Sequence, residues 1–214
     1  MKKLESSLLN MLFVLTFVTV IAVGLLAVVN EVTREPIAAA AMRTLNEALK
    51  QVVPAFTNNP VAEADTLENG FIVYPAMDGE QSVGTAVEAT AMGFGGELRV
   101  LVGFDAAGNI YNYSLLAHAE TPGLGSKADV WFKEGGRGSI IGKNPGAETL
   151  SVAKDGGTVD AITASTITSR AFLKAVNEAY QAYHGNVDAA TGASSQATAT
   201  QQSDAHTAAS AQQH

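Results

Sequence analysis

Residues 8–29 read LLNMLFVLTFVTVIAVGLLAVV, 22 positions without a charged side chain. At about 1.5 Å of rise per residue such a helix reaches roughly 33 Å, enough to cross a hydrocarbon core about 30 Å thick. An uncharged run of this length argues against a helix buried in a protein core. Asn10, Thr16 and Thr19 are tolerable within it, because hydroxyls bond back to the preceding turn. Lys2 and Lys3 precede the run, and Glu31, Arg34 and Glu35 follow it. Positive residues favour the cytoplasmic side, so residues 1–7 are expected inside the cell and everything after the span outside it. The competing reading is a cleaved signal peptide, whose apolar core is about 7–15 residues, shorter than this one. The small-residue run 38–41 lies well past the apolar end. The expectation is an uncleaved single-pass anchor, 8–29, in the inner (cytoplasmic) membrane, with the remaining chain on the periplasmic side.

After the anchor, Pro36 suits the first turn of a helix, where its missing N–H costs nothing. Ile37, Ala41, Leu45, Leu49 and Val52 then recur at helical spacing until Pro54. This predicts a juxtamembrane helix over about 36–52 within a segment 30–54. Residues 55–69 read as an irregular link. Short runs with alternation or β-branched content at 71–75, 82–91, 97–104 and 109–117 predict strands, the last two joined by a hairpin turn at 105–108. A short helix is expected over 128–134, and two final strands at 149–154 and 158–162. Residues 167–184 form the best amphipathic pattern of the part after the anchor, with Ile167, Ala171, Ala175, Ala179 and Tyr183 on one stripe. Beyond Gly185 the composition turns to Ala, Ser, Thr, Gln and Gly. Such a segment cannot repay its ordering entropy, so 186–214 is expected to be a disordered tail. The fold class is α+β: one domain over 55–185, mainly antiparallel strands with flanking helices.

Several chemistries are excluded. A net charge of −8 and a pI near 4.9 leave no basic face for phosphate backbones, so nucleic acid is not a partner. The chain has no cysteine, which removes disulfides, thiolate zinc sites, cysteine nucleophiles and ordinary iron–sulfur ligation. Gly142-Lys143 fails as a phosphate-binding loop, because Arg137 stands at the earlier glycine and Asn144 replaces Ser or Thr. Gly123-Leu-Gly-Ser-Lys-Ala128 fits G-x-G-x-x-A, but Pro122 sits in the turn and no long helix follows. His118-x-Glu120 lacks a third metal ligand at a recognisable spacing, and no G-x-S-x-G nucleophile turn occurs. No metal site and no catalytic residue are expected.

Asp160-Ala-Ile-Thr163-Ala164-Ser165-Thr166-Ile167-Thr168-Ser169-Arg170 places a cluster of hydroxyls just before and within the start of the last helix. Thr and Ser there can simply cap the helix. The same geometry can receive a phosphate, because the free N–H groups and the dipole both favour an anion. The residues alone leave both readings open.

The stretch resembles the flavinylation motif D-x-x-[ST]-G-A-T of FMN-binding domains, with Asp160, Thr163 and Thr166 on the motif positions. Ala164 stands where glycine is usual and Ser165 where alanine is usual. Ala164 disfavours a positive φ. A second stretch, His118-x-Glu120-Thr121-Pro122-Gly123-Leu124-Gly125, resembles the H-x-E-T-P-G-L-G loop of the same family, and Gly93-Phe-Gly-Gly96 its preceding segment. With the single N-terminal span, residues 1–184 resemble the G subunits of Rnf-type ion-translocating electron-transport complexes. The C subunits of sodium-translocating NADH:quinone reductases share the two main motifs. A cofactor-free tethered module, in which the hydroxyl cluster only caps a helix, is the alternative of another class.

The resemblance implies one covalent FMN per chain, joined through its phosphate to the Thr166 hydroxyl by a flavin transferase that uses FAD. Asp160, Thr163, Ala164, Ser165, Ile167 and Thr168 would surround the linkage, and Glu120, Thr121, Gly123, Leu124 and Gly125 would pack on the ring. It also implies partners, the other membrane subunits of a complex moving electrons between ferredoxin and NAD while translocating sodium ions or protons. The chain would be a relay, not catalytic alone.

Overall fold

The structure is a computed structural model that describes residues 8–67 and 70–191. The expected cytoplasmic residues 1–7 and most of the expected tail, 192–214, lie outside the described residues. The chain divides into two compact units, residues 1–45 and 46–214.

Helix α1, Leu8–Val52, carries the one segment among the described residues long and apolar enough to cross a membrane. Its hydroxyls behave as expected: Thr16 Oγ1 donates to the Leu12 carbonyl at 2.8 Å and Thr19 Oγ1 to the Thr16 carbonyl at 2.9 Å. The expected break before a second helix is not there, because Pro36 lies inside one continuous helix. An interior proline removes one backbone bond, but restarting a helix requires a new and costly nucleus. Of the expected juxtamembrane stripe, Leu49 and Val52 are buried while Ile37 stays exposed.

Five strands follow: β1 (Asp65–Thr66), β2 (Ile72–Asp78), β3 (Gln81–Met92), β4 (Glu97–Asp105) and β5 (Ile110–His118). They form one antiparallel meander in the order β1-β2-β3-β4-β5. The four longer strands match the sequence expectation to within a few residues, and β1 is a short pairing inside the expected link. The hairpin at 105–108 closes as its residues dictate: Asp105 Oδ1 accepts from the N–H groups of Ala107 and Asn109, each at 2.9 Å, and Gly108 takes φ +80°.

One face of the meander, with Val73, Val87, Ala89, Leu98, Val100, Val102 and Phe104, packs into the main core. Helix α3, Thr166–Thr191, lies on that face through Ala171, Phe172, Ala175, Val176 and Ala179. Phe172 stacks on Phe132 (centroids 4.4 Å) and meets Tyr113 edge-on (4.8 Å). The other face is closed near Gly103, where a Cβ would strike the Val52 carbonyl, and by Asn112 donating to the Gln51 carbonyl at 3.0 Å. With cover on both sides, the middle of β3 is buried at consecutive positions, and its alternation is lost.

Helix α3 continues past Gly185 to Thr191, so the expected tail begins as helix. The short helix α2 covers Ala128–Trp131, less than the expected 128–134. The two final strands are corrected: only a parallel bridge between Val152 and Val159 forms, with a 3-10 turn at Ala153–Asp155 between them. Leu150, Val152, Val159 and Ile162 are buried in the core. Their strand-like composition reflects burial rather than a ladder of backbone bonds.

Candidate functional site

Three segments distant in sequence meet at the start of α3: the turn 93–96 between β3 and β4, the loop 120–125 after β5, and residues 164–168. Together they enclose a cleft of about 320 Å³ lined by Phe94, Glu120, Thr121, Leu124, Gly125 and residues 164–168. Nine of the expected site residues thus converge on one cavity: Glu120, Thr121, Leu124, Gly125, Ala164, Ser165, Thr166, Ile167 and Thr168. Gly123 stays outside it, shaping the loop at φ +77° with its N–H donating to Ser126 Oγ. Thr163 and Asp160 also lie outside. The Asp160 carbonyl accepts from Trp131 Nε1 at 2.8 Å, which ties the approach to the helix to α2.

Glu120 holds the three segments together. It is only 5% exposed, although its neighbours His118 and Thr121 face solvent. Its Oε1 accepts from the N–H groups of Phe94 (2.7 Å) and Gly95 (3.3 Å), and its Oε2 from Thr168 Oγ1 (2.9 Å). Every partner donates, as a carboxylate requires. A Cβ at Gly93 or Gly125 would collide with this carboxylate. The glycines flanking the cleft are therefore needed to let backbone close around Glu120. A plain polar loop would leave that side chain in water.

Residues 160–170 form a stapled turn. Ile162 N–H donates to Ser169 Oγ at 2.9 Å, and Ser169 Oγ donates to the Ser165 carbonyl at 3.0 Å. Ala164 has φ +62°, the one non-glycine residue in the left-handed region among the described residues. A side chain there costs about 1 kcal/mol or more. The alanine that replaces the usual glycine falls on a position whose backbone asks for glycine.

Thr166 opens α3 half-buried, and its Oγ1 accepts from Lys154 Nζ at 3.4 Å. Beside it, Arg170 clasps Asp155 through two bonds of 2.7 and 2.6 Å. The Arg170 hydrogen bond holds the Asp155 carboxyl below its usual range, and Asp155 raises the Arg170 guanidinium in return. The cleft rim is apolar and open: Phe94 is 70% exposed, Ile167 53% and Leu124 40%. Isolated large apolar side chains in water are ordinary, but three converging on one cleft mark a surface made to be covered.

Sequence reasoning missed Lys154 and Trp131, and it noted the Gly93-Phe-Gly-Gly96 segment and Ser169 without assigning Phe94 or Ser169 a place in the site. An aromatic residue between glycines was the available signal for Phe94. Nothing local distinguishes Lys154, which reaches Thr166 only because the 152–159 bridge folds the chain back.

A meander backed by a helix sets a hydroxyl-lined helix start against an apolar-rimmed cleft, and comparison gives the class, an FMN-binding domain. Residues 93–181 match the FMN-binding domain family, and residues 6–52 match the RnfG N-terminal region. The chain is 37% identical to the G subunit of the ion-translocating oxidoreductase complex of Yersinia pestis, over 74% of this chain and 81% of the relative. It is 37% identical to the corresponding G subunit of Cereibacter sphaeroides (strain ATCC 17029 / ATH 2.4.9), over 72% and 74%. For the G subunit of Shewanella baltica (strain OS223) the identity is 32%, over 81% and 88%. The chain belongs to the family of ion-translocating oxidoreductase complex G subunits.

Proposed function

We propose that this chain is an electron-relay subunit of a membrane ion-translocating oxidoreductase complex and carries one FMN in phosphodiester linkage to Thr166. Its partners in this reading are the other membrane subunits, which couple electron transfer between ferredoxin and NAD to sodium or proton transport. Segment 8–29 of α1 spans the inner membrane, and the domain beyond it is periplasmic. The observation that carries the reading is the Thr166 hydroxyl on the wall of an apolar-rimmed cleft of about 320 Å³, in a chain of this family. The cleft fits the group: its volume lies in the usual range for ligand sites, and Ala164 and Ser165 leave room beside the hydroxyl.

Bound there, FMN would supply one- and two-electron redox chemistry that no side chain of this chain offers. The protein's own residues do the rest. Thr166 Oγ1 attacks the flavin-side phosphorus of FAD on a flavin transferase. The bond to the adenylate oxygen breaks, AMP leaves with the electron pair, and the hydroxyl proton passes to solvent. Phe94, Leu124 and Ile167 offer apolar contact to an aromatic ring, and Glu120 keeps the cleft's three walls in register. A covalent tether prevents loss of the group where no flavin pool replenishes it.

Mass spectrometry of the full chain matured in a host with the transferase tests this. The expected result is an added mass of one FMN less one water, absent from Thr166→Ala. An unmodified Thr166 in mature protein would overturn the reading.

A further inference from the structure

Esterification at Thr166 puts a phosphate where one cation already waits. Lys154 sits on the 3-10 turn Ala153–Asp155, with its Nζ 3.4 Å from Thr166 Oγ1. The turn is brought there by the Val152–Val159 bridge, by Ala153 N–H donating to the Val159 carbonyl at 2.8 Å, and by the Arg170–Asp155 pair. That pair also settles the neighbouring charges. The Asp155 carboxylate, the anion adjacent in sequence to Lys154, accepts from Nε and Nη2 of Arg170. An ammonium has three donors and no acceptor, so it cannot take the proton of Thr166. It can bind the oxygens of a phosphate. The non-bridging oxygens of a phosphate on Oγ1 lie two bonds beyond the ester oxygen, through phosphorus, within the same ammonium's reach.

We propose that Lys154 is the phosphate-binding residue of the flavin attachment site. In this role its ammonium draws the flavin-side phosphate of FAD onto Thr166 Oγ1 and, after AMP has left, remains paired with the phosphodiester. The inference rests on the reading of Thr166 as the acceptor. Lys154 is a positioning residue for the transfer and a binding residue for its product.

The test uses the full chain in detergent, purified unmodified, with flavin transferase, FAD and magnesium ions. Incorporation is followed by intact mass for wild type, Lys154→Met and Lys154→Arg. Lys154→Met should slow incorporation about tenfold, the scale of one charge-assisted hydrogen bond, with Lys154→Arg partly restored. The gap between wild type and Lys154→Met should narrow as salt rises. In the fully loaded proteins, the phosphorus NMR resonance should move between wild type and Lys154→Met. Equal rates would overturn the proposal. A slower rate with an unchanged phosphorus resonance would also overturn it, assigning Lys154 to the transferase's footprint. Failure of wild type itself to gain mass would instead sink the reading of Thr166. Lys154 is exposed on its turn, so equal thermal midpoints for the three proteins are expected.

Discussion

The meander β2–β5 and the stretch 119–165 sit against the same helix and are held by different means. The meander is tied by a continuous ladder of backbone bonds, interrupted by a few register shifts. The later stretch has one bridge and short turns, and single side chains hold it. Tyr113 Oη donates to the Ala128 carbonyl at 2.6 Å and accepts from Phe132 N–H at 3.2 Å. Asn177 both accepts from Leu150 N–H and donates to its carbonyl, and Glu120 and Ser169 do the same work at the cleft. Most of the candidate site lies in the second region or at its edge. A ladder spreads its stability over many equivalent bonds, whereas a loop region concentrates it in a few irreplaceable ones. The site is therefore shaped by interactions that one substitution can remove.

The sharpest attempt to break that contrast is Phe172→Ala, which empties the ring stack shared by both regions. It should cost about 4 kcal/mol, and chemical denaturation followed by far-ultraviolet circular dichroism measures it. Trp131, the single tryptophan, reports the loop region separately by fluorescence. In this variant both probes should shift together, and a shift in one alone would show that the two regions do not share a core.

Glu120→Ala comes next, at about 3 kcal/mol, because it strands the N–H groups of Phe94 and Gly95 and the Thr168 hydroxyl. Here the Trp131 transition should move more than the dichroism transition, and the protein should acquire less than a full complement of FMN during maturation, as read by intact mass. Equal movement of the two transitions would erase the distinction between the regions. Ala164→Gly works in the opposite direction. It relieves the strain at φ +62° and, after the added freedom of the unfolded chain, should stabilise by about 0.5–1 kcal/mol. The midpoint of the Trp131 transition in denaturant measures that gain.

The smallest effect is on pH. Arg170 lowers the Asp155 carboxyl in the folded state. The contribution is therefore present above the ordinary carboxylate value of about 3.9 and is lost as pH falls through the lower folded value. Both partners are exposed, so the loss should appear only as a slight acid loosening of the Trp131 signal. Arg170→Gln should abolish that step.

Sequence periodicity made the strands and the core of α3 legible, because a period of two or 3.6 is written in adjacent residues. The same method misread 149–154 and 158–162 as strands, since burial selects β-branched residues whether or not a ladder forms. It also placed a helix boundary at Pro36, because local chemistry does not weigh one lost bond against the nucleus needed for a second helix. The motifs at 120–125 and 160–168 were visible as residues, but that Phe94 would complete their cleft was not.

By itself, then, the order of residues determined the uncharged apolar run at 8–29, the meander, and the hydroxyl cluster at the mouth of α3, all of which depend on neighbours within a few positions. Only the tertiary structure decided that Glu120 turns inward to bind two distant segments, that Ala164 is strained, and that Lys154 reaches Thr166. Each of these depends on groups far apart in the chain, whose meeting is set by how the sheet and helix pack and not by any local pattern.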